Sequence, residues 1–160
     1  MRFCFVMLLI SFSMLPVYAQ NNTAKEEICI AASAETGLYS FNSLAYGGGL
    51  ALAYGTRTSI GLKASYFYDI PSNIGSFDID ILLRFNLLNR ASGPFLQFMG
   101  GPVIMIVNSV LSIPGNWGTV SIGLAGGWRF AIGRAFFTEV FVRGGYPYIF
   151  GAGLAAGIRL

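Results

Sequence analysis

"FDIDILLRFNL", residues 77–87, sets charged and strongly apolar side chains side by side for eleven residues. A strand points successive side chains to opposite faces. On that period Phe77, Ile79, Ile81, Leu83, Phe85 and Leu87 share one face, and Asp78, Asp80, Arg84 and Asn86 share the other. Leu82 alone breaks the pattern. Wound as a helix, the four polar residues scatter around the circumference and leave no apolar stripe. The stretch therefore reads as a strand with one apolar face, and the fold depends on what that face meets.

The same alternation recurs on both sides. Residues 59–70 set Ile60, Leu62, Ala64, Tyr66, Tyr68 and Ile70 opposite Ser59, Gly61, Lys63, Ser65, Phe67 and Asp69. Residues 119–130 and 149–160 repeat it, the second with Phe150, Ala152, Leu154, Ala156, Ile158 and Leu160 on its apolar face. Weaker segments at 28–39, 45–55, 94–106 and 135–146 bring the expected number of strands to eight. Each is longer than the usual five or six residues and long enough to cross a bilayer when tilted. The connections "GTRT" (55–58), "LNRASG" (88–93) and "AIGR" (131–134) read as short turns. They alternate with "SFNSL" (40–44), "IPSNIG" (70–75), "VNSVLSIPGNW" (107–117) and "YPY" (146–148), read as loops at the other end. This is the pattern of an all-β, eight-stranded antiparallel up-and-down barrel.

The first 19 residues stand apart. Met1-Arg2, an apolar run from Phe3 to Leu15 and Val17-Tyr18-Ala19 before Gln20 form a secretory signal pattern. We expect a signal peptide at 1–19, an N-terminal segment at 20–27 and the barrel at 28–160. The alternative is an uncleaved anchor. Removing Cys4 with the signal leaves Cys29 alone, a small apolar residue to which we assign no chemistry. Only 11% of the 160 residues are charged, 54% are hydrophobic and 21 are glycine, whereas soluble domains carry roughly 25% charged residues. Without Arg2 the formal net charge falls from +3 to +2, which suggests no nucleic-acid partner.

A soluble binding barrel of the lipocalin kind would turn the large apolar set inward, and a transmembrane barrel would turn it outward. Side-chain size favours the second. The polar set is rich in Gly, Ala and Ser, which fit an interior as narrow as eight strands allow. The apolar set carries aromatics near the strand ends: Tyr46, Tyr66, Tyr68, Phe77, Tyr146 and Phe150 toward the loop end, and Tyr54, Phe85, Trp128, Phe130 and Phe136 toward the turn end. These form two candidate interface girdles. Exported by a signal and lacking helical spans, such a chain belongs in the outer membrane of a diderm bacterium, with lipid as its first partner.

On these features the chain resembles the small eight-stranded outer-membrane barrels, the superfamily of the OmpA transmembrane domain, OmpX and OmpW. The resemblance spans residues 28–160 and is architectural. The last strand, with Leu154, Ala156, Ile158 and Leu160, is similar to the signal by which this class engages the barrel-assembly machinery, although it ends in Leu instead of the usual aromatic. What the resemblance implies is a monomeric membrane barrel and, on its OmpW-like side, a narrow channel for small or hydrophobic solutes.

There is no histidine, which removes Ser-His-Asp and Cys-His catalysis and His-based metal sites. We expect no enzyme, no metal and no cofactor. "GGG" at 47–49 lacks the spacing of a phosphate loop and reads as close strand packing. The remaining constellation is a set of inward charges: Glu35, Lys63, Asp78, Asp80, Arg84, Arg129, Glu139, Arg143 and Arg159. Glu35, Asp80 and Arg143 fall at mid-depth, and Arg84, Arg129, Glu139 and Arg159 lower, with Phe67, Phe95, Phe137 and Phe141 filling space beside them. Charges away from bulk water persist when paired, so the expectation is a lumenal salt-bridge plug. The barrel would then serve a structural or surface-interaction role, with 107–117 as the most apolar candidate contact for a surface ligand. The channel reading instead has these ion pairs acting as a gate, Asp80 with Arg143 for example.

Overall fold

The computed structural model describes residues 26–39, 43–71, 73–88, 92–107, 110–112 and 119–160. The signal pattern at 1–19 and most of 107–117 lie outside the described residues. Nine strands are described: β1 Ile28–Tyr39, β2 Ser43–Gly55, β3 Thr58–Asp69, β4 Ile74–Asn86, β5 Gly93–Val107, β6 Val110–Ser112, β7 Thr119–Ile132, β8 Phe136–Tyr146 and β9 Tyr148–Arg159. Eight of them close into one antiparallel ring in the order β4-β3-β2-β1-β9-β8-β7-β5, with β5 returning to β4. Closure satisfies every edge, the condition for backbone polar groups to survive in hydrocarbon. The seam is fastened at its lower end, where Ile28 N donates to Leu160 O (3.2 Å) and Leu160 N to Ile28 O (2.8 Å).

The pairing register sets the tilt. Starting at Arg84 on β4 and stepping across partners through Gln97, Ala125, Arg143, Gly151, Gly37, Ala45 and Asp69, the path returns to β4 at Ile74, ten residues from its start. With about 3.3 Å per residue and about 4.8 Å between strands, that stagger tilts the strands by about 40° and gives a backbone radius of about 8 Å. A strand the length of β3 then rises about 30 Å along the axis, enough for the apolar band of a bilayer.

Large apolar side chains cover the outside: Leu50 is 66% exposed, Ile81 60% and Ile122 69%. The buried set is instead dominated by polar and charged residues. Apolar packing inside is confined to small groups, such as Leu82 against Met99 and Ala125. Leu82, the exception in the opening stretch, thus takes the inward place its position dictates. This inside-out distribution rules out the lipocalin-like arrangement. Of the aromatics named above, Tyr46, Tyr54, Tyr66, Trp128, Phe130, Phe136, Tyr146 and Phe150 are exposed on the outer wall. Tyr68, Phe77 and Phe85 are half-buried there. Phe85 packs edge-on against Phe98 at 6.3 Å between centroids, and the Tyr66 ring lies over Gly75, where an added Cβ would come within 2.7 Å of its hydroxyl. That is the covering of a strand glycine by a neighbouring aromatic.

Two expectations about the connections need correction. The segment 107–117 is not all loop, because Val110–Ser112 pairs back onto Met105–Val107 and prolongs the β5 wall past the end of its pairing with β7. Nor are the connections uniformly longer at one end: one end has 56–57, 87–92 and 133–135, and the other has 40–42, 70–73, 108–118 with β6 inside it, and the single residue Pro147. The short link between β8 and β9 fails as a loop because both strands continue their pairing almost to the proline. Asn73 takes the left-handed conformation (φ 51°) in the 70–73 turn, where Asn is among the few side chains that tolerate it.

Candidate functional site

The site is the polar lumen, and β-strand parity assembles it. Glu35 on β1, Lys63 on β3, Asp78, Asp80 and Arg84 on β4, Arg129 on β7, Glu139 and Arg143 on β8 and Arg159 on β9 all project inward, and the two deepest, Asp78 and Asp80, are 0% exposed. Two glutamates organise the rest into tiers. The end carrying 56–57 and 133–135 is taken as the lower one.

In the lower tier Glu139 receives two arginines. Arg84 donates from Nη1 to Oε1 at 2.7 Å and from Nη2 to Oε2 at 3.0 Å, a two-pronged pair from across the barrel. Arg129, the register neighbour of Glu139, donates from Nε to Oε1 at 2.7 Å. Arg84 Nε also donates to Gln97 Oε1 at 2.9 Å. In the upper tier Glu35 accepts from Lys63, from Arg143 Nη1 at 2.9 Å and from the Ser33 hydroxyl at 2.7 Å. Charge-assisted, two-pronged bonds of this kind are the strong ones. Each carboxylate answers two cations, so neither tier is neutral by itself.

Every one of those four cations also lies over a phenylalanine. Arg84 sits 4.1 Å from the Phe95 centroid, Arg129 4.1 Å from Phe137, Arg143 5.3 Å from Phe67 and Lys63 5.7 Å from Phe141. The rings offer their negative faces to desolvated cations, a contact of about 2 kcal/mol where water is excluded. Glycines make room for them: an added Cβ at Gly153 would come within 2.5 Å of Phe141 Cζ and 2.8 Å of Glu35 Cγ. The phenylalanines are therefore part of the network as well as space fillers.

The suggested pair of Asp80 with Arg143 is replaced by other contacts. Arg143 bonds Glu35, and Asp80 accepts the Ser121 hydroxyl. Arg159 stands apart at the lower rim, 3.9 Å from Glu27 and 3.4 Å from the Gly133 carbonyl. Sequence reasoning passed over Ser33, Gln97, Ser121 and Asp69. All have inward parity, and Asp69 is 2% exposed, but its place at the end of β3 made it look like part of a turn. Cys29 also faces this region, with Arg129 Nη1 3.9 Å from its sulfur.

Little open space remains in the lower lumen. Two small cavities, about 30 and 40 Å³, adjoin Arg84 and Gln97, room for one to three waters each. A larger depression of about 870 Å³, between Tyr46, Trp128, Val140 and Leu154, lies on the apolar outer wall at the level of the upper tier, with Glu35 and Phe141 also in its lining.

A closed eight-stranded ring with an apolar outside and a charged inside is a β-barrel of the transmembrane class. Among solved structures, Neisserial surface protein A has this fold, with a TM-score of 0.65 at 11% identity, over 84% of this chain and 96% of that one. The N-terminal β-barrel domain of Pseudomonas aeruginosa OprF matches with a TM-score of 0.53 at 16% identity, over 82% and 97%. The outer membrane enzyme PagL matches with 0.53 at 14% identity, over 81% and 98%. No protein-family model and no curated protein sequence matches the chain. The likeness establishes the fold of the small outer-membrane barrels. Because that fold also carries an enzyme, it does not decide activity.

Proposed function

We propose that the chain is an integral outer-membrane barrel, exported by residues 1–19 and inserted with the help of β9, whose lumen is plugged by ion pairs and whose role is structural or surface-interacting. The observation that carries this reading is the pair of glutamate-centred tiers, which bring side chains from β1, β3 and β8 together at one level and from β4, β7 and β8 at another. At a backbone radius of about 8 Å, side chains reaching in from opposite walls meet at the axis. The outward aromatics at the strand ends suit the two membrane interfaces. The absence of histidine supports a non-catalytic barrel, and 107–117 is the segment best suited to a surface ligand.

Planar-bilayer recording of the refolded protein tests the plug. A silent barrel agrees with it. Discrete openings in the wild type would instead establish the narrow channel, with the tiers as its gate. Fractionation of the producing cell tests location: recovery with the inner membrane or the soluble periplasm would overturn the outer-membrane assignment.

A further inference from the structure

The two tiers are alike in arrangement but not in the charge around them. Lys63 and Arg143 share Glu35 and also have the acids of β4 beside them. Asp80 stands across from Lys63 in the β3–β4 register, and both cations act electrostatically on Asp78. Arg84 and Arg129 have Glu139 alone. Of the two acids at the lower rim, Glu27 lies 3.9 Å from a third arginine, Arg159, and Glu26 accepts from the Tyr54 hydroxyl on the outer wall. Among the described residues the lower tier therefore keeps one positive charge without a carboxylate, on side chains only 14% and 11% exposed. A charge held away from bulk water in this way needs a counter-ion.

A second observation, independent of the charge count, points to where that counter-ion sits. The smaller of the two lower cavities, about 30 Å³, is lined by Arg84, Arg129, Gln97, Ser59, Cys29 and Phe137 with apolar residues closing the rest, and no carboxylate enters its lining. Its neighbour of about 40 Å³, by contrast, has Glu139 in its wall. Arg129 gives only Nε to Glu139, and the contact of its Nη1 is the Cys29 sulfur at 3.9 Å. Gln97 accepts from Arg84 Nε through its oxygen, so its NH2 group is what it has left to offer. Ser59, 7% exposed, adds a hydroxyl. Hydrogen-bond donors thus surround the void at the place of the surplus positive charge. A water there would accept from some of them and leave the charge unanswered.

We propose that this cavity binds one chloride ion, held by Arg129, Arg84 and the Gln97 amide, with Ser59 beside it. Volume selects the class of anion: about 30 Å³ admits an ion little larger than a water, whereas a phosphate, a sulfate or an organic carboxylate is too large. The inference deepens the plugged-lumen reading, since the bound ion brings the lower tier to neutrality.

Chlorine NMR line broadening and thermal unfolding of the folded barrel in detergent, in sodium chloride, bromide, sulfate or gluconate at matched ionic strength, test the site. We expect excess broadening that bromide displaces, and a Tm about 3–8 °C higher in chloride or bromide than in sulfate or gluconate. Arg129→Gln leaves Arg84 and Glu139 as a neutral pair and should remove both effects. Cys29→Asp sets a carboxylate beside Arg129, and should remove the chloride response while raising the Tm in gluconate above that of the wild type. Arg134→Gln, on an exposed turn outside the lumen, should respond as the wild type does. Equal Tm in all four salts, a response that both Arg129→Gln and Cys29→Asp retain, or one that Arg134→Gln loses, overturns the proposal. Bilayer recording keeps the site and the plug apart. A silent barrel with no chloride response loses the site and keeps the plug, and a conducting barrel with the response keeps the site and loses the plug.

Discussion

Arg84 and Glu139 are 55 residues apart in the chain and meet across the lumen through two parallel bonds of 2.7 and 3.0 Å. Their strands are not neighbours, since β5 and β7 lie between β4 and β8 in the ring. The pair therefore ties opposite parts of the wall together, and a second arginine, Arg129, completes the lower tier.

Removing the shared carboxylate leaves two guanidinium groups without their common partner in a site of low water content. Glu139→Gln should destabilise the barrel by about 3–5 kcal/mol, as breaking a buried ion pair does. Replacing all three residues together, Arg84→Met, Arg129→Met and Glu139→Leu, should cost much less, because no charge is then stranded. Urea unfolding followed by the mobility shift of folded barrel on unheated gels would measure both. A triple variant less stable than Glu139→Gln would contradict this account.

Neutralising both organising glutamates addresses the plug. Glu35→Gln with Glu139→Gln leaves Lys63, Arg84, Arg129 and Arg143 repelling one another within the same lumen. We expect brief, discrete openings that favour anions, in a barrel that is silent as the wild type. Bilayer traces that stay flat in a variant shown to be folded would mean that packing by the phenylalanines closes the lumen without the ion pairs.

Gly153 is small because Phe141 and Glu35 occupy the space its side chain would need. Gly153→Ala should cost about 1–3 kcal/mol through overpacking. In a double-mutant cycle Phe141→Leu should recover part of that loss, since contacting sites couple. Additive losses would show that Phe141 is not the obstacle.

On the outer wall the relevant solvent is lipid. Leu50 is 66% exposed near the middle of β2, and Leu50→Arg should cost about 2–4 kcal/mol in bilayers. The same substitution at Leu44, at the strand end, should cost about 0–1 kcal/mol. Folding free energies in lipid vesicles would separate the two positions, and equal costs would place β2 at a different depth.

The strands were legible because a barrel wall imposes a period of two on every segment that crosses it. In 77–87 the sorting of Phe77, Ile79 and Ile81 from Asp78 and Asp80 needs no knowledge of any other strand. The same holds for 59–70 and 149–160. Leu82 shows the limit of this reading: its polarity disagrees with its position, and position wins because a one-residue slip would turn every other side chain of β4 the wrong way. Connection lengths were less legible. Apolar residues near Pro147 and in 107–117 fit a strand end as well as a loop, and pairing with a neighbour decides between them.

What the sequence determined by itself was the alternation, the number of long strands and the sign of each face, all properties of the chain taken one segment at a time. The tertiary structure decided the partners. Whether Arg143 reaches Glu35 or Asp80, and whether Glu139 serves one arginine or two, depends on the stagger accumulated around the whole ring, ten residues over eight strands. No single segment contains that sum.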